Sequence, residues 1–182
     1  MRSLPNFITL ARLGLVPLMA WYAARGDYVA ALPIFLLAAL SDFADGYIAR
    51  KFKVVSRLGA ALDPIADKLN MLVATLLLAW QSLVPIWLAA AIIGRDVVIV
   101  AGVLAYRRFR GPVEIKPTRL SKANTVIEFG VLLVVMAQAA GWIDARAWMP
   151  MLFAVVFVTV VASGVHYVWL GIRTAFFTRR GR

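Results

Sequence analysis

The sequence has no cysteine and only one histidine, so two side chains often used for nucleophilic and acid–base chemistry are nearly missing. Without cysteine there are no disulfide bonds and no thiol chemistry. The single histidine, His166, lies in a long apolar segment beside Tyr167 and near Trp169. A lone histidine in such a setting is more often a packing or interfacial residue than a ligand, so we assign it no role.

Acidic residues are also scarce, with nine Asp and Glu against 20 Lys and Arg and a formal net charge of +11. An excess of this size is compatible with nucleic-acid binding. In a very apolar chain we attribute it instead to the positive-inside bias of membrane proteins and to attraction by anionic lipid headgroups. We therefore expect membrane lipids as partners and no nucleic acid.

Hydrophobic residues, by contrast, make up 63% of the chain, well above the roughly 45–50% of soluble domains. The apolar runs suit helices of about 20 residues, which cross a bilayer, and they lack the alternation of barrel strands. The pattern predicts an all-α polytopic membrane protein, with residues 1–182 in a single domain. Six transmembrane helices are predicted, at Pro5–Ala24, Tyr28–Phe52, Gly59–Trp80, Leu83–Arg107, Leu120–Trp142 and Ala147–Ile172.

The basic residues are unevenly distributed over the predicted connections. With the N-terminus inside, the cytoplasmic segments hold most of the Lys and Arg residues, whereas the opposite loops hold only Arg25 and Arg146. Because Lys and Arg favour the cytoplasmic side of a membrane, we expect both termini to be cytoplasmic.

One stretch, SDFADGYIARKFKVVSRLGAALDPIADK at residues 41–68, holds four of the nine acidic residues in apolar surroundings. Burying an unpaired carboxylate in such surroundings is costly. On helices, Asp42 and Asp45 lie one turn apart, as do Asp63 and Asp67 on the next span. The connection is short, so the two helices are expected to be antiparallel neighbours whose four carboxylates converge near the cytoplasmic end.

The spacing alone leaves three interpretations of this cluster open. Two divalent cations would neutralise it, and oxygen-only ligation suits the Mg²⁺ or Mn²⁺ pairs used for displacement at phosphorus. An ion or proton transporter would use the same carboxylates as a charged pathway. Structural ion pairs, for example of Asp67 with Lys68 or Arg95, are the third possibility.

The complete pattern is Asp42-x2-Asp45-Gly46-x2-Ala49-Arg50-x8-Gly59-x3-Asp63-x3-Asp67, with eight specified positions over 26 residues. It strongly resembles the signature of the CDP-alcohol phosphatidyltransferase family. The six-span layout also agrees with that family, so the resemblance covers essentially the whole chain. It implies a metal-dependent enzyme that transfers a phosphatidyl group from CDP-diacylglycerol to an alcohol and releases CMP.

The resemblance also implies roles for the matched residues. Two divalent cations, Mg²⁺ or Mn²⁺, are expected on Asp42, Asp45, Asp63 and Asp67. Asp67 is in addition expected to act as the catalytic base that takes the proton from the acceptor hydroxyl. The cytidine diphosphate group is expected to bind Asp42, Asp45, Gly46, Ala49, Arg50, Gly59 and Asp63.

Cations elsewhere in the chain are expected to bind a phosphate group of the acceptor. They are Arg12, Arg95, Lys116, Arg119 and Lys122. The alternatives are that Arg95 forms an ion pair and that the loop cations only set the topology. The segments GRD and KPTRLSKANT look more like family members that use phosphatidylglycerol, and so form cardiolipin, than like those that use glycerol 3-phosphate. Glycerol 3-phosphate remains the alternative acceptor.

Two further expectations complete the hypothesis. Asn124 and Glu128 lie one turn apart in the fifth span and are expected to form hydrogen bonds between helices, with a place in the acceptor pocket as the alternative. The protein is expected to be a homodimer, as is common in the family, in a bacterial inner membrane. Its active site should lie on the cytoplasmic side, because CMP is soluble and the diacylglycerol tails are not.

Overall fold

The computed structural model of the protein describes residues 4–52, 57–110 and 118–177, with the side chains of 14–41, 68–106, 108, 118–171 and 173. Over these residues the chain forms six α-helices and no strand, which confirms the all-α prediction. The helices are α1 (Leu4–Ala24), α2 (Tyr28–Phe52), α3 (Arg57–Trp80), α4 (Ile86–Arg110), α5 (Arg119–Ala139) and α6 (Met149–Phe177), with a 3₁₀ turn at Arg146–Trp148 before α6.

Three segments are long and apolar enough to cross a membrane: Ile86–Tyr106, Arg119–Ala139 and Arg146–Gly171. The apolar parts of the first three helices are shorter within the described residues, at Gly14–Ala24, Tyr28–Ser41 and Lys68–Trp80. These lengths support the prediction of an integral membrane protein. That all six helices span, and that both termini are cytoplasmic, remain predictions.

The end of α5 differs from the predicted one by three residues, because a backbone motif stops the helix. The Gly141 N–H donates to the Gln138 carbonyl at 3.1 Å, and the Trp142 N–H donates to the Ala137 carbonyl at 2.9 Å. This paired arrangement is a Schellman motif, which needs a left-handed residue at its centre. Gly141 supplies it with φ +74°, so the helix ends at Ala139 rather than at Trp142.

The start of α4 also differs, lying at Ile86 rather than at Leu83. The amide of Leu83 is already used, since it donates to the Leu78 carbonyl at 2.9 Å in the turn that ends α3. A proline disfavours helical backbone in the residue before it, and Pro85 follows Val84. The Pro85 carbonyl accepts the first amide bonds of the new helix.

Two helices begin at capping side chains that the sequence supplies. Asp27 Oδ1 accepts a hydrogen bond from the Ala30 amide at 3.1 Å, at the start of α2. Thr118 Oγ1 accepts one from the Ser121 amide at 3.2 Å, at the start of α5. Such caps satisfy amides that have no partner within their own helix.

Substitution of Gly141 by alanine should destabilise the protein. A side chain with left-handed φ costs about 1 kcal/mol or slightly more, although the added methyl group would contact nothing within 4 Å. The measurement is unfolding of the two proteins in the same detergent. The matched control is Gly130→Ala in the middle of α5, where a Cβ is equally free and helix propensity favours alanine by up to about 1 kcal/mol. Equal stability of Gly141→Ala and the wild type would contradict the assignment of this cap.

The described helices fall into two compact units. The first contains α1, α2 and α3 together with residues 132–146, the end of α5 and the turn after it. The helix α1 packs against both α2 and α3, and α2 also contacts α3. Met19, Phe35 and Leu78 are fully buried. Lipid tails are as apolar as these side chains, so close packing rather than the hydrophobic effect holds such helices together.

A hydrogen-bonded link joins the helix ends of this first unit that lie far from the aspartates. The Tyr28 hydroxyl donates to Gln81 Oε1 at 2.7 Å, and the Gln81 side-chain amide donates to the Ala23 carbonyl. Tyr28 begins α2 and Gln81 directly follows α3. Along each helix axis the link is about 20 Å from the nearest aspartate.

The second unit contains α4, residues 119–131 of α5, and α6. The helices α4 and α6 pack against each other. The Trp87 ring meets the Phe157 ring edge-on, with centroids 5.4 Å apart and planes at 82°, which is the preferred geometry for an aromatic pair. Val156 and Val160 are buried on the same helix as Phe157.

Candidate active site

The four aspartates lie on two consecutive helices of the first unit. Asp42 and Asp45 belong to the second half of α2, and Asp63 and Asp67 to the first half of α3. Both helices continue without interruption through these positions, so each pair lies one helical turn apart, as predicted. The two helices contact each other, and only residues 53–56 separate them along the chain. The backbone therefore brings the two pairs to adjoining helix ends.

The side chains of the predicted metal and CDP ligands lie outside the described residues. This applies to the four aspartates and to Gly46, Ala49, Arg50 and Gly59. Among the side chains that the structure describes, no group of three or more His, Asp or Glu is placed to hold a metal ion. The metal, CDP and catalytic assignments therefore remain predictions, supported by the helical placement of their backbone.

A buried amide lies one helical turn beyond Asp67 on α3. Asn70 is only 3% exposed, and its Oδ1 has no hydrogen-bond partner among the described residues. The sequence analysis assigned this residue no role at the site. Its signal is a polar amide in the mostly apolar stretch that follows Lys68.

The predicted acceptor residue Arg95 is buried within the second unit. Its Nη1 donates to Asp96 Oδ1 at 2.7 Å. Its Nη2 donates to Ser121 Oγ at 2.6 Å and to Ser163 Oγ at 2.7 Å. Residue 95 therefore links α4 to both α5 and α6. The ion-pair alternative for Arg95 is realised with its neighbour Asp96.

Gly164 lies against the stem of this arginine. A Cβ on Gly164 would lie 3.6 Å from Arg95 Cγ, an ordinary van der Waals contact, so alanine would also fit here. Ser163, beside it, is fully buried in α6. The sequence analysis did not select Ser163, and the signal for it was a Ser-Gly pair in a helix otherwise rich in large apolar side chains.

The hydrogen bonds of Arg95 limit how it can bind an anion. A guanidinium binds an oxyanion in a bidentate manner either through Nε–H and Nη2–H or through Nη1–H and Nη2–H. Both arrangements need an Nη2 hydrogen, and both Nη2 hydrogens of Arg95 are donated to serines. The expected bidentate contact with a phosphate therefore requires one serine to be released. Nε, which is buried, has no partner among the described residues. A buried donor without a partner costs about 1–3 kcal/mol, so an oxyanion at this position would be stabilised.

Of the other predicted acceptor cations, the structure describes the side chains of two. Arg119 and Lys122 are exposed on the first turn of α5, one turn or less from Ser121. Lys116 and the side chain of Arg12 lie outside the described residues.

Asn124 and Glu128 are both buried, but their mutual hydrogen bond lies within α5. Asn124 Nδ2 donates to Glu128 Oε2 at 3.3 Å, four residues further along the helix. This bond joins two residues of one helix, and the predicted hydrogen bonds from this pair to other helices stay a prediction. Asn124 Oδ1 has no partner among the described residues.

The part of the chain that the structure describes is helical, includes three long apolar segments and carries two pairs of aspartates on adjoining helices. The sequence model of one family, CDP-alcohol phosphatidyltransferase, matches residues 2–170. The chain belongs to this family, as the sequence analysis predicted.

Two relatives of this chain are named for cardiolipin synthesis. A cardiolipin synthase (CMP-forming) / mitochondrial hydrolase fusion protein of Schizosaccharomyces pombe is 38% identical over 180 residues, 91% of this chain and 30% of the relative. Cardiolipin synthase (CMP-forming) of Homo sapiens is 32% identical over 191 residues, 94% of this chain and 62% of the relative. The chain thus spans under two thirds of these two relatives.

A relative named for glycerol 3-phosphate also matches. The CDP-diacylglycerol–glycerol-3-phosphate 3-phosphatidyltransferase of Pseudomonas fluorescens is 42% identical over 105 residues, which is 54% of this chain and 53% of the relative. The relatives therefore include proteins named for cardiolipin synthesis and one named for glycerol 3-phosphate.

Proposed function

We propose that the protein transfers a phosphatidyl group from CDP-diacylglycerol to phosphatidylglycerol, forming cardiolipin and CMP. The observation that carries the proposal is the identity that is kept over nearly the whole chain. The relatives from S. pombe and human, both named cardiolipin synthase, match 91% and 94% of the chain at 38% and 32% identity. The P. fluorescens relative, named for glycerol 3-phosphate, matches 54% of it, and a relative of that name from Oryza sativa matches 91% of it at the lower identity of 26%. We further propose that both described units belong to one catalytic domain, since the family match runs through both.

Two divalent cations fit the carboxylates of α2 and α3. Dependence on such cations is general in the family, and the donor set consists of oxygen atoms alone, as Mg²⁺ and Mn²⁺ prefer. We propose that Asp42, Asp45, Asp63 and Asp67 hold them. When bound, the cations would neutralise charge on the diphosphate and on the leaving CMP.

The residues of the chain would then carry out one displacement at phosphorus. Asp67 accepts the proton of the acceptor hydroxyl, whose oxygen forms a new bond to the lipid-bearing phosphorus. The phosphoanhydride bond breaks, and the electron pair leaves on CMP. Arg50 contributes a positive charge to the cytidine diphosphate site. The nucleotide can approach the backbone closely at the small residues Gly46, Ala49 and Gly59.

The acceptor is held through its phosphate by cations of the chain. Arg95 supplies a buried charge between three helices of the second unit. Arg119 and Lys122 supply exposed charges at the start of α5. Arg12 and Lys116 complete the proposed set.

The proposed location is a bacterial inner membrane, with the protein as a homodimer. Six spans with both termini cytoplasmic agree with the uneven distribution of Lys and Arg. The active site would then lie at the cytoplasmic surface, where soluble CMP leaves and the lipid tails stay in the bilayer.

The experiment that tests this proposal is CMP release by the purified protein with CDP-diacylglycerol and Mg²⁺ or Mn²⁺. Phosphatidylglycerol and glycerol 3-phosphate are offered in separate reactions. We expect release with phosphatidylglycerol. Release with glycerol 3-phosphate alone would instead make the chain a phosphatidylglycerophosphate synthase. Release with neither, together with ion flux in reconstituted vesicles, would favour the transporter interpretation.

A further inference from the structure

A buried amide on α5 carries a hydrogen-bond acceptor that lacks a partner. Asn124 is completely buried, and its Nδ2 donates to Glu128 Oε2 at 3.3 Å. An ionised carboxylate only accepts hydrogen bonds, so the nitrogen of the amide is the atom that faces Glu128. The amide oxygen, Oδ1, is then directed elsewhere, and it has no partner among the described residues.

An acceptor in this condition favours one kind of ligand group. A buried carbonyl oxygen without a donor destabilises the protein, and a hydroxyl group that donates to it removes that cost. A phosphate oxygen would approach Oδ1 as a second acceptor and would be repelled. Asn124 Oδ1 is therefore suited to a hydroxyl group of a ligand and not to its phosphate.

The position of Asn124 on α5 relates it to Arg95. Ser121, Asn124 and Glu128 are spaced by three and four residues, so they lie on one face of the helix. Ser121 Oγ accepts a hydrogen bond from Arg95 Nη2 at 2.6 Å, and Asn124 follows about 4.5 Å further along the helix axis. Among the described residues, neither the buried donor Nε of Arg95 nor the buried acceptor Oδ1 of Asn124 has a partner. A ligand with both an oxyanion and a hydroxyl group would supply both.

Both acceptors considered above have this combination of groups. In phosphatidylglycerol and in glycerol 3-phosphate, a glycerol unit carries the phosphate at one end and a primary hydroxyl group at the other. The primary hydroxyl attacks phosphorus, and its proton is assigned to Asp67. The secondary hydroxyl does not react, and it lies on the carbon next to the one that bears the phosphate.

We propose that Asn124 is a specificity-determining residue, whose Oδ1 accepts a hydrogen bond from the secondary hydroxyl of the acceptor's glycerol unit. This inference rests on the proposed function, because it assumes that Arg95 binds the acceptor phosphate. It goes beyond that function by naming the residue that distinguishes a glycerol acceptor from an alcohol with a single hydroxyl group.

The test compares phosphatidylglycerol with phosphatidyl-1,3-propanediol, which keeps the primary hydroxyl and lacks the secondary one. CMP release by the wild type is measured with each lipid in the same mixed micelles. We expect the catalytic efficiency with phosphatidylglycerol to be higher by about tenfold or more, because the analogue leaves a buried acceptor unpaired. Equal efficiency with the two lipids would overturn the inference.

The Asn124→Leu variant connects this preference to the amide. Leucine has a similar size and no hydrogen-bonding group, so we expect the efficiency with phosphatidylglycerol to fall by about tenfold. The efficiency with the analogue and the KM of CDP-diacylglycerol should stay as in the wild type. A purely structural role for Asn124 would lower both efficiencies by the same factor, and a preference that the variant retains would overturn the inference.

Thr125→Val is the matched control. Thr125 follows Asn124 on α5, is exposed, and donates to the Ser121 carbonyl at 3.2 Å. Valine has nearly the same shape without the hydroxyl group, so the wild-type preference should remain. A loss of preference as large as that in Asn124→Leu would attribute the effect to the helix and would overturn the inference. If Asn124→Leu does not fold, the comparison of the two lipids on the wild type still exposes the inference to refutation.

Failure of this inference differs in outcome from failure of the proposed function. Release of CMP that is equal with the two lipids leaves the proposed function intact and overturns only the inference. If the wild type uses glycerol 3-phosphate alone, it is compared with 3-hydroxypropyl phosphate, and the same preference for the glycerol compound is expected. If the wild type releases no CMP with either glycerol acceptor, the proposed function fails and the inference fails with it.

Discussion

Replacement of Asp67 by asparagine should reduce CMP release by about 10³-fold or more, the scale of losing a general base together with a metal ligand. Asparagine has nearly the same shape, so α3 should form as before. It cannot accept the proton of the acceptor hydroxyl, and it is a weaker ligand for a divalent cation. The rate is measured at saturating CDP-diacylglycerol and phosphatidylglycerol.

Asn variants of the other three aspartates distinguish the proposed base from the proposed metal ligands. Asn variants of Asp42, Asp45 and Asp63 remove a proposed metal ligand but not the proposed base, so added Mg²⁺ should partly restore their activity. Asp67→Asn should not recover in this way. Asp144→Asn, which removes an exposed carboxylate of the turn after α5, serves as the control. Normal turnover in Asp67→Asn would exclude this residue as the base, and normal turnover in all four variants would remove the metal mechanism.

The helices were predictable because their signals are local. Long apolar runs and turn residues placed all six helices, and the bounds of α2, Tyr28–Phe52, agree at both ends. Backbone hydrogen bonds decide two of the ends that differ from prediction, the end of α5 and the start of α4, whereas α6 simply runs further than predicted, to Phe177 rather than Ile172. In the turn between α3 and α4, Ser82 rather than glycine takes the left-handed conformation, with φ 60°. Serine at this position carries no clear sequence signal, because left-handed backbone usually selects glycine or asparagine.

The aspartate pairs and the contacts of Arg95 also differ in whether their sequence signals are local. The aspartate pairs are spaced by three and four residues, so helical periodicity alone predicts which of them share a face. Arg95 was predicted as a buried cation that needs partners, but its serines are 26 and 68 residues away in the chain. Such contacts depend on how α4, α5 and α6 pack. The sequence signal for this contact is weak, a Ser-Gly pair at Ser163 and Gly164 within an apolar helix.

Removal of divalent cations should abolish CMP release as completely as any single substitution. Four carboxylates on two adjoining helix ends repel one another unless cations neutralise them, and the leaving CMP carries further negative charge. We expect the rate to fall by about 10³-fold or more in excess chelator, and to return when Mg²⁺ or Mn²⁺ is added above the chelator concentration.

The dependence on cation concentration then identifies the ligands. If Asp42 and Asp45 bind the cation, their Asn variants should need more Mg²⁺ for half-maximal rate than the wild type does. Asp144→Asn should need the same concentration as the wild type, because Asp144 is an exposed residue of the turn after α5 and is not assigned to the metal. This separates loss of metal affinity from a general loss of fold, which would lower the maximal rate at every concentration. Full activity in excess chelator would contradict the assignment of the aspartates as metal ligands, whatever acceptor the enzyme uses.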